Sequence, residues 1–209
     1  MVLGNRGRSV TTALFGPLAR VLVRAGVSPN VVTVVGTVAT SATALWLLPA
    51  GHLVVGVLVV VVLTFADSVD GLMARERGTE SRFGAYLDST MDRVSDGAIF
   101  TALGLYLLWQ EDQQWQEIGF ALGMACVVLG MLVSYARARA EGLGISAKAG
   151  IAERADRLIF AGVAALAVGL GAPPVVLVIA LALLVLANII TVIQRSMVVY
   201  RASAETDPV

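Results

Sequence analysis

Long apolar runs alternate with short polar or Gly- and Pro-containing breaks along this chain. Six runs stand out: Asn30 to Leu48, Leu53 to Arg75, Phe83 to Trp109, Ile118 to Tyr135, Glu153 to Leu170 and Val175 to Ile193. A bilayer-spanning helix needs about 20 predominantly apolar residues. The pattern therefore predicts an all-α integral membrane bundle of six transmembrane helices. The breaks at Pro49 to His52, Gln110 to Glu117 and Gly171 to Pro174 read as turns on one side. Ser28 and Pro29 read as the cap and first turn of the first span. Ahead of them, residues 9–25 show apolar residues at helical spacing with Arg20 and Arg24 together. That stretch is too short and too basic to span, which predicts an amphipathic helix lying at the interface. The expected organisation is a cytoplasmic tail with this helix at 1–25, one six-helix domain at 26–201 and a flexible tail at 202–209.

Composition agrees: the 209 residues are 57% hydrophobic and only 14% charged, with a mean hydropathy of +0.83, which excludes a soluble domain. The formal net charge of zero conceals a pattern. All fifteen Lys and Arg fall into clusters at 6–24, 75–93, 137–157 and 195–201. The positive-inside rule puts these clusters, and with them both termini, on the cytoplasmic side. Trp46, Trp109 and Trp115 fall near the opposite boundary, as an aromatic belt would. Gly119, Gly123, Ala125 and Gly130 give the fourth span a small-residue face for close packing, and Asn188 reads as an interhelical hydrogen-bonding group. Cys126 reads as a small buried hydrophobe with no disulfide partner, and His52 as a turn residue. Basic residues near the N-terminus are not followed by an apolar core with a cleavage site, so no signal peptide is expected.

The candidate chemistry lies between Asp67 and Asp92. Asp67 and Asp70 are three residues apart and Asp88 and Asp92 four, so on helices each pair shares a face. Both pairs lie near one membrane face, and the short loop between them predicts that their helices are neighbours. Carboxylates at membrane depth are costly and need cationic partners or metal. Three readings are open: structural pairing with Arg75, Arg82 or Arg93; an ion-coupled transport site; or a two-metal site clamping a pyrophosphate. The last is favoured. Gly71 and Gly84 leave room for a bulky ligand, Arg75 is within reach of a phosphate, and an all-oxygen set suits hard divalent cations. The paired broken helices of many transporters are not evident, and a purely structural scaffold gives no reason for four acids.

The pattern Asp67-x2-Asp70-Gly71-x2-Ala74-Arg75-x8-Gly84-x3-Asp88-x3-Asp92 resembles the signature of the CDP-alcohol phosphatidyltransferases and matches it at every position. The resemblance extends over nearly the whole chain and implies a reaction. A CDP-linked lipid gives its phosphatidyl group to a hydroxyl of a second alcohol, and CMP leaves. Carried over residue by residue, it implies that Asp67, Asp70, Asp88 and Asp92 hold two divalent ions, Mg²⁺ or Mn²⁺, and that Asp92 is also the general base. Gly71 and Arg75 would contact the nucleotide end of CDP-diacylglycerol. Asn30, Thr33 and Ser81 would add contacts to that donor. A homodimer is the family expectation.

The acceptor is read from two features. Arg137, Arg154, Arg157 and Arg195 sit at cytoplasmic ends of the last three spans, where they would form a cationic pocket for a phosphorylated acceptor or merely follow the positive-inside rule. Ala74-Arg75-Glu76-Arg77-Gly78, Asp92-Arg93-Val94-Ser95-Asp96-Gly97-Ala98 and Ser134-Tyr135-x-Arg137-Ala138-Arg139 are similar to the actinobacterial phosphatidylinositol phosphate synthases. That resemblance implies inositol 1-phosphate as acceptor, with its phosphate bound by Arg137, Arg154 and Arg195. Arg137 stands where a Lys is common. Glycerol 3-phosphate is the alternative acceptor. Expected partners are CDP-diacylglycerol, inositol 1-phosphate, membrane lipids and a second copy of the chain, with no nucleic acid.

Overall fold

The computed structural model describes residues 16–17, 19–77, 81–110, 114–151 and 153–206. Among these the chain is helical and has no strand. The long helices are α1 (Pro29–Leu47), α2 (Leu53–Arg77), α3 (Arg82–Trp109), α4 (Gln116–Gly142), α5 (Arg154–Gly169) and α6 (Val175–Thr206). A shorter helical stretch covers residues 19–24; the rest of the expected interfacial helix lies outside the described residues, apart from 16–17 and 25. Among the described residues four helices, α1, α2, α4 and α6, are long and apolar enough to cross a membrane. The first half of α3 is crowded by Arg82, Asp88, Asp92, Arg93 and Asp96. The 16 residues of α5 give only about 24 Å of rise.

Local chemistry sets the helix ends. Pro29 opens α1 after an extended Ser28 (φ −72°, ψ 139°), whose side chain makes no capping bond. Ser81 caps α3, its hydroxyl accepting from Gly84 N–H at 3.0 Å. The Asp156 carboxylate accepts from Glu153 N–H at 3.1 Å at the start of α5. Gly51 (φ 86°) and Gly171 (φ 107°) supply the left-handed positions of two tight turns. At its far end α6 continues to Thr206, beyond Ile193 and into the region expected to be a flexible tail. No Gly or Pro interrupts it, so the charges at Arg195 and Arg201 do not end the helix.

Packing differs from expectation at one point. α1 packs along both α2 and α3, and its buried residues are small: Thr33, Thr37, Thr40 and Ala44. Among the described residues α2 and α3 do not pack along one another, although a short loop joins them. Gly71 and Ala74 offer little bulk to fill such a seam, and carboxylates on both helices repel at close range. The other seams are α3 on α4, α4 on α6, α5 on α6 and α5 on α2.

Glycine makes two of these seams close. A Cβ on Gly123 of α4 would lie 2.9 Å from Gly104 Cα and 3.0 Å from the Phe100 carbonyl of α3. A Cβ on Gly169 of α5 would lie 2.9 Å from Leu53 Cβ of α2. The main core gathers near the short turns: Leu48, Leu53, Leu103, Leu107, Leu177 and Leu181 are essentially fully buried. At the opposite end, among the described residues, lies a small cluster, Val69 and Met73 of α2 with Ala19 of the first helical stretch. That end holds the polar residues and opens into a cavity.

Candidate active site

α2 and α3 deliver the motif carboxylates to the open end. The side chains of Asp67 and Arg75 lie outside the described residues. Asp70 is held from two directions: the Thr33 hydroxyl of α1 donates to its Oδ2, and Gly71 N–H donates to its Oδ1. Asp88 is exposed and forms no ion pair among the described residues. It lies within electrostatic range of both Asp70 and Asp92. A Cβ on Gly71 would meet nothing within 4 Å, so the helix face beside Asp70 borders open space. A Cβ on Gly84 would lie 3.2 Å from Ser81 Oγ and 3.6 Å from Asn30 Oδ1, which brings α1 and the start of α3 together at that space. Asn30, Thr33, Asp70, Ser81 and Asp88 thus belong to one region, framed by α1, α2 and α3.

A second region adjoins it. A cavity of about 1120 Å³ runs between the helices, lined at its polar end by Asp92, Arg93, Arg137, Arg154, Arg195 and Glu153. Val57, Val60, Val61, Phe65, Leu158 and Ile159 line its apolar part. Asp92 borders this cavity while Asp70 and Asp88 do not, so Asp92 stands at the junction of the two regions. Arg154 Nη1 lies 2.9 Å from Asp92 Oδ1, and Arg93 Nη2 lies 3.6 Å from Asp92 Oδ2. The Arg93 guanidinium also donates to the Ser134 hydroxyl on α4.

The three arginines of the expected acceptor site differ in how they are held. Arg195 is 6% exposed; its Nε donates to Ala149 O at 2.9 Å and its Nη1 to Val133 O. It pins the loop between α4 and α5 against α6. Gly150 makes that contact possible: its φ is +150°, and a Cβ there would lie 2.7 Å from Thr191 Cγ2. Arg154 is held by Asp92, Asp96 and Ser95. Arg137 is exposed and pairs with Glu141 one turn on, at 2.9 Å. Arg157 also borders the cavity, as the sequence reading expects, but it is only 2% exposed and is paired with Asp96 (3.8 Å) and Asn188 (3.2 Å). Sequence reasoning gave Asp96 no role. Its signal was its position one turn past Asp92, at the same spacing that joins Asp88 to Asp92.

This arrangement can bind an anion and activate a hydroxyl. Arginines with unused N–H groups face a cavity that is bordered by a carboxylate. Beside it, Asp70, Asp88 and Asp92 offer oxygen donors next to open space, and Asp88 has no cation to neutralise it among the described residues. All-oxygen donors of this kind suit hard divalent cations; among the described residues these carboxylates do not gather into a group of three close enough to hold one ion, and the side chain of the fourth motif carboxylate, Asp67, lies outside the described residues.

Known proteins share the pattern. The CDP-alcohol phosphatidyltransferase family model matches residues 26–199. The phosphatidylinositol phosphate synthase of Streptomyces avermitilis is 42% identical over 212 residues, covering 99% of this chain and 86% of that one. That of Cutibacterium acnes is 45% identical over 196 residues, covering 90% and 93%. The crystal structure of Mycobacterium tuberculosis phosphatidylinositol phosphate synthase with CDP-DAG bound superposes with a TM-score of 0.83 at 39% identity, covering 92% and 94%. The same enzyme in complex with manganese and citrate gives 0.82 at 39% identity, covering 88% of each chain. With its motif carboxylates on two adjoining helix ends and a family match across almost all of its length, this chain belongs to the CDP-alcohol phosphatidyltransferase family.

Proposed function

We propose that this protein is a metal-dependent phosphatidylinositol phosphate synthase. It transfers the phosphatidyl group of CDP-diacylglycerol to a hydroxyl of inositol 1-phosphate and releases CMP. The observation that carries the acceptor assignment is the shared cavity: Arg137, Arg154 and Arg195 line the same space as Asp92. The synthases that match over nearly the whole chain support the same acceptor.

In this reading Asn30, Thr33, Gly71, Arg75 and Ser81 receive the cytidine and pyrophosphate end of the donor. Gly71 leaves room for it to approach, and Thr33 orients Asp70. The apolar reach of the cavity, from Val57 to Ile159, accommodates acyl chain. Arg137, Arg154 and Arg195 bind the acceptor phosphate and so place the acceptor hydroxyl beside Asp92. Asp92 takes the hydroxyl proton as the new P–O bond forms and the P–O bond to CMP breaks. Asp67, Asp70, Asp88 and Asp92 would hold two Mg²⁺ ions, which Mn²⁺ can replace. Divalent cations bound there supply charge neutralisation at the pyrophosphate and polarisation of the phosphorus.

All six helices cross the membrane, with the open end and both termini on the cytoplasmic side, the N-terminal helix on the interface and two copies forming a homodimer. The basic clusters at the open end support that orientation. The test is CMP release by purified protein given CDP-diacylglycerol and Mg²⁺, with inositol 1-phosphate, glycerol 3-phosphate and free inositol offered separately. Release with inositol 1-phosphate alone, abolished by chelator and restored by Mg²⁺, is expected. Release with glycerol 3-phosphate instead overturns the acceptor, and no release with any alcohol from folded protein overturns the enzyme reading.

A further inference from the structure

Asp96 is outside the metal-binding pattern, yet it is an ionisable group only 8% exposed within an apolar bundle. Burying a carboxylate is costly unless cations pair with it in good geometry. Two do. Arg154 Nε lies 2.9 Å from Asp96 Oδ1, and Arg157 Nη2 lies 3.8 Å from Asp96 Oδ2. Arg157 in turn donates from Nη1 to Asn188 Oδ1 on α6 at 3.2 Å. A polar strut therefore runs from Asp96 of α3 through Arg157 of α5 to Asn188 of α6, and Arg154 is held on the same carboxylate. It ends on the helix that carries Arg195, two turns before it. Gly130 of α4 leaves space for the strut: a Cβ there would lie 3.4 Å from Arg157 Nη1.

The strut decides how Arg154 faces the cavity. Asp96 takes its Nε, Ser95 Oγ lies 3.3 Å from its Nη2, and its Nη1 points to Asp92. The guanidinium plane is thus fixed from the α3 edge, and its remaining N–H groups are presented to the cavity. A guanidinium held in this way loses little freedom when it binds a phosphate, whereas a free one must be ordered first.

We infer that Asp96 is a positioning residue for the acceptor. It sets the plane of Arg154. The inference rests on the reading of Arg154 as a ligand of the acceptor phosphate.

Steady-state CMP release tests it, with KM measured for each substrate in Asp96→Asn, Asp96→Glu, Arg154→Ala and the Asp96→Asn/Arg154→Ala double variant. Asp96→Asn is expected to raise the KM for inositol 1-phosphate about tenfold or more, the loss of one charge-assisted contact. The KM for CDP-diacylglycerol stays near wild type. Asp96→Glu keeps the charge but shifts it by a methylene, and gives a smaller rise confined to the acceptor. The double variant matches Arg154→Ala alone, because Asp96 acts through Arg154. A merely structural strut would instead reduce active protein and thermal stability with both KM values unchanged, and that result overturns the inference. So do proportional rises in both KM values, or effects of the two sites that multiply. If Asp96→Asn does not fold, Asp96→Glu decides alone: no change, or equal changes in both KM values, overturns it. An Arg154→Ala variant with a normal acceptor KM would instead refute the phosphate reading of Arg154, and this inference would fall with it.

Discussion

Replacing Arg195 by Ala separates its hold on the loop from the acceptor binding proposed for it. Two of its N–H groups hold the Ala149 and Val133 carbonyls. A guanidinium has five, so three remain for a ligand in the cavity. Losing a charge-assisted hydrogen bond costs about 1.5–3 kcal/mol, which at about 1.4 kcal/mol per decade predicts a KM for inositol 1-phosphate raised about 10- to 150-fold. The KM for CDP-diacylglycerol should change little. Two carbonyls that lose their donor also lower stability, by about 1 kcal/mol or more each where water does not replace the donor. Arg195→Lys keeps the charge, but its ammonium cannot serve both carbonyls and a phosphate at once. It should fall between wild type and Ala on both counts. Initial rates of CMP release, with each substrate varied at saturating levels of the other, give both constants; thermal unfolding in detergent gives the stability. Equal rises in the two KM values, or a normal acceptor KM in a destabilised variant, would remove Arg195 from the acceptor site and leave it only the loop.

Two further outcomes are expected. Asp92→Asn should cut turnover by about 10²-fold or more, the usual contribution of a general base, while CDP-diacylglycerol still shifts the melting temperature of the variant; near-normal turnover would rule out the base. Gly123→Val should lower the melting temperature, since its side chain would meet Gly104 Cα and the Phe100 carbonyl, backbone atoms whose displacement costs about 1–3 kcal/mol. An unchanged melting temperature would show that the α3–α4 seam has slack.

The sequence exposed helix positions well because Pro and Gly punctuate the turns. The Pro49 to His52 and Gly171 to Pro174 breaks fall between helices to within a residue or two. Asn188 was read as an interhelical hydrogen-bonding group, and its partner is Arg157. Which partner it would find was not legible, because helix rotation and neighbour choice depend on tertiary packing. The same limit applies to α2 and α3. Loop length brings two helices close at one end, but α1 packs along both of them and they do not pack along each other among the described residues. Arg157 looked equivalent to Arg154 in a basic cluster. The two share one face of α5 and both reach Asp96; what separates them is the further partner each finds, Asp92 at the cavity for Arg154 and Asn188 on α6 for Arg157, and that depends on tertiary packing. Ser81 was read as a donor contact; its hydroxyl also caps α3, a role the Ser-x-x-Gly spacing does not advertise.

The junction position of Asp92 has an evolutionary consequence. The region around Asn30, Thr33 and Asp70 is built by α1, α2 and the start of α3, whereas the arginines come from α4, α5 and α6. The two halves meet at the α3 segment that bears Asp92 and along α2, whose Val57 to Phe65 stretch also lines the cavity. On the proposed assignment, a lineage could remodel the arginine wall without altering the donor-side residues Asn30, Thr33 and Asp70. A scaffold divided in this way is suited to diversify by swapping alcohols while its nucleotide-linked lipid stays constant. Chimaeras exchanging α4–α6 between relatives would be the natural unit of such a graft.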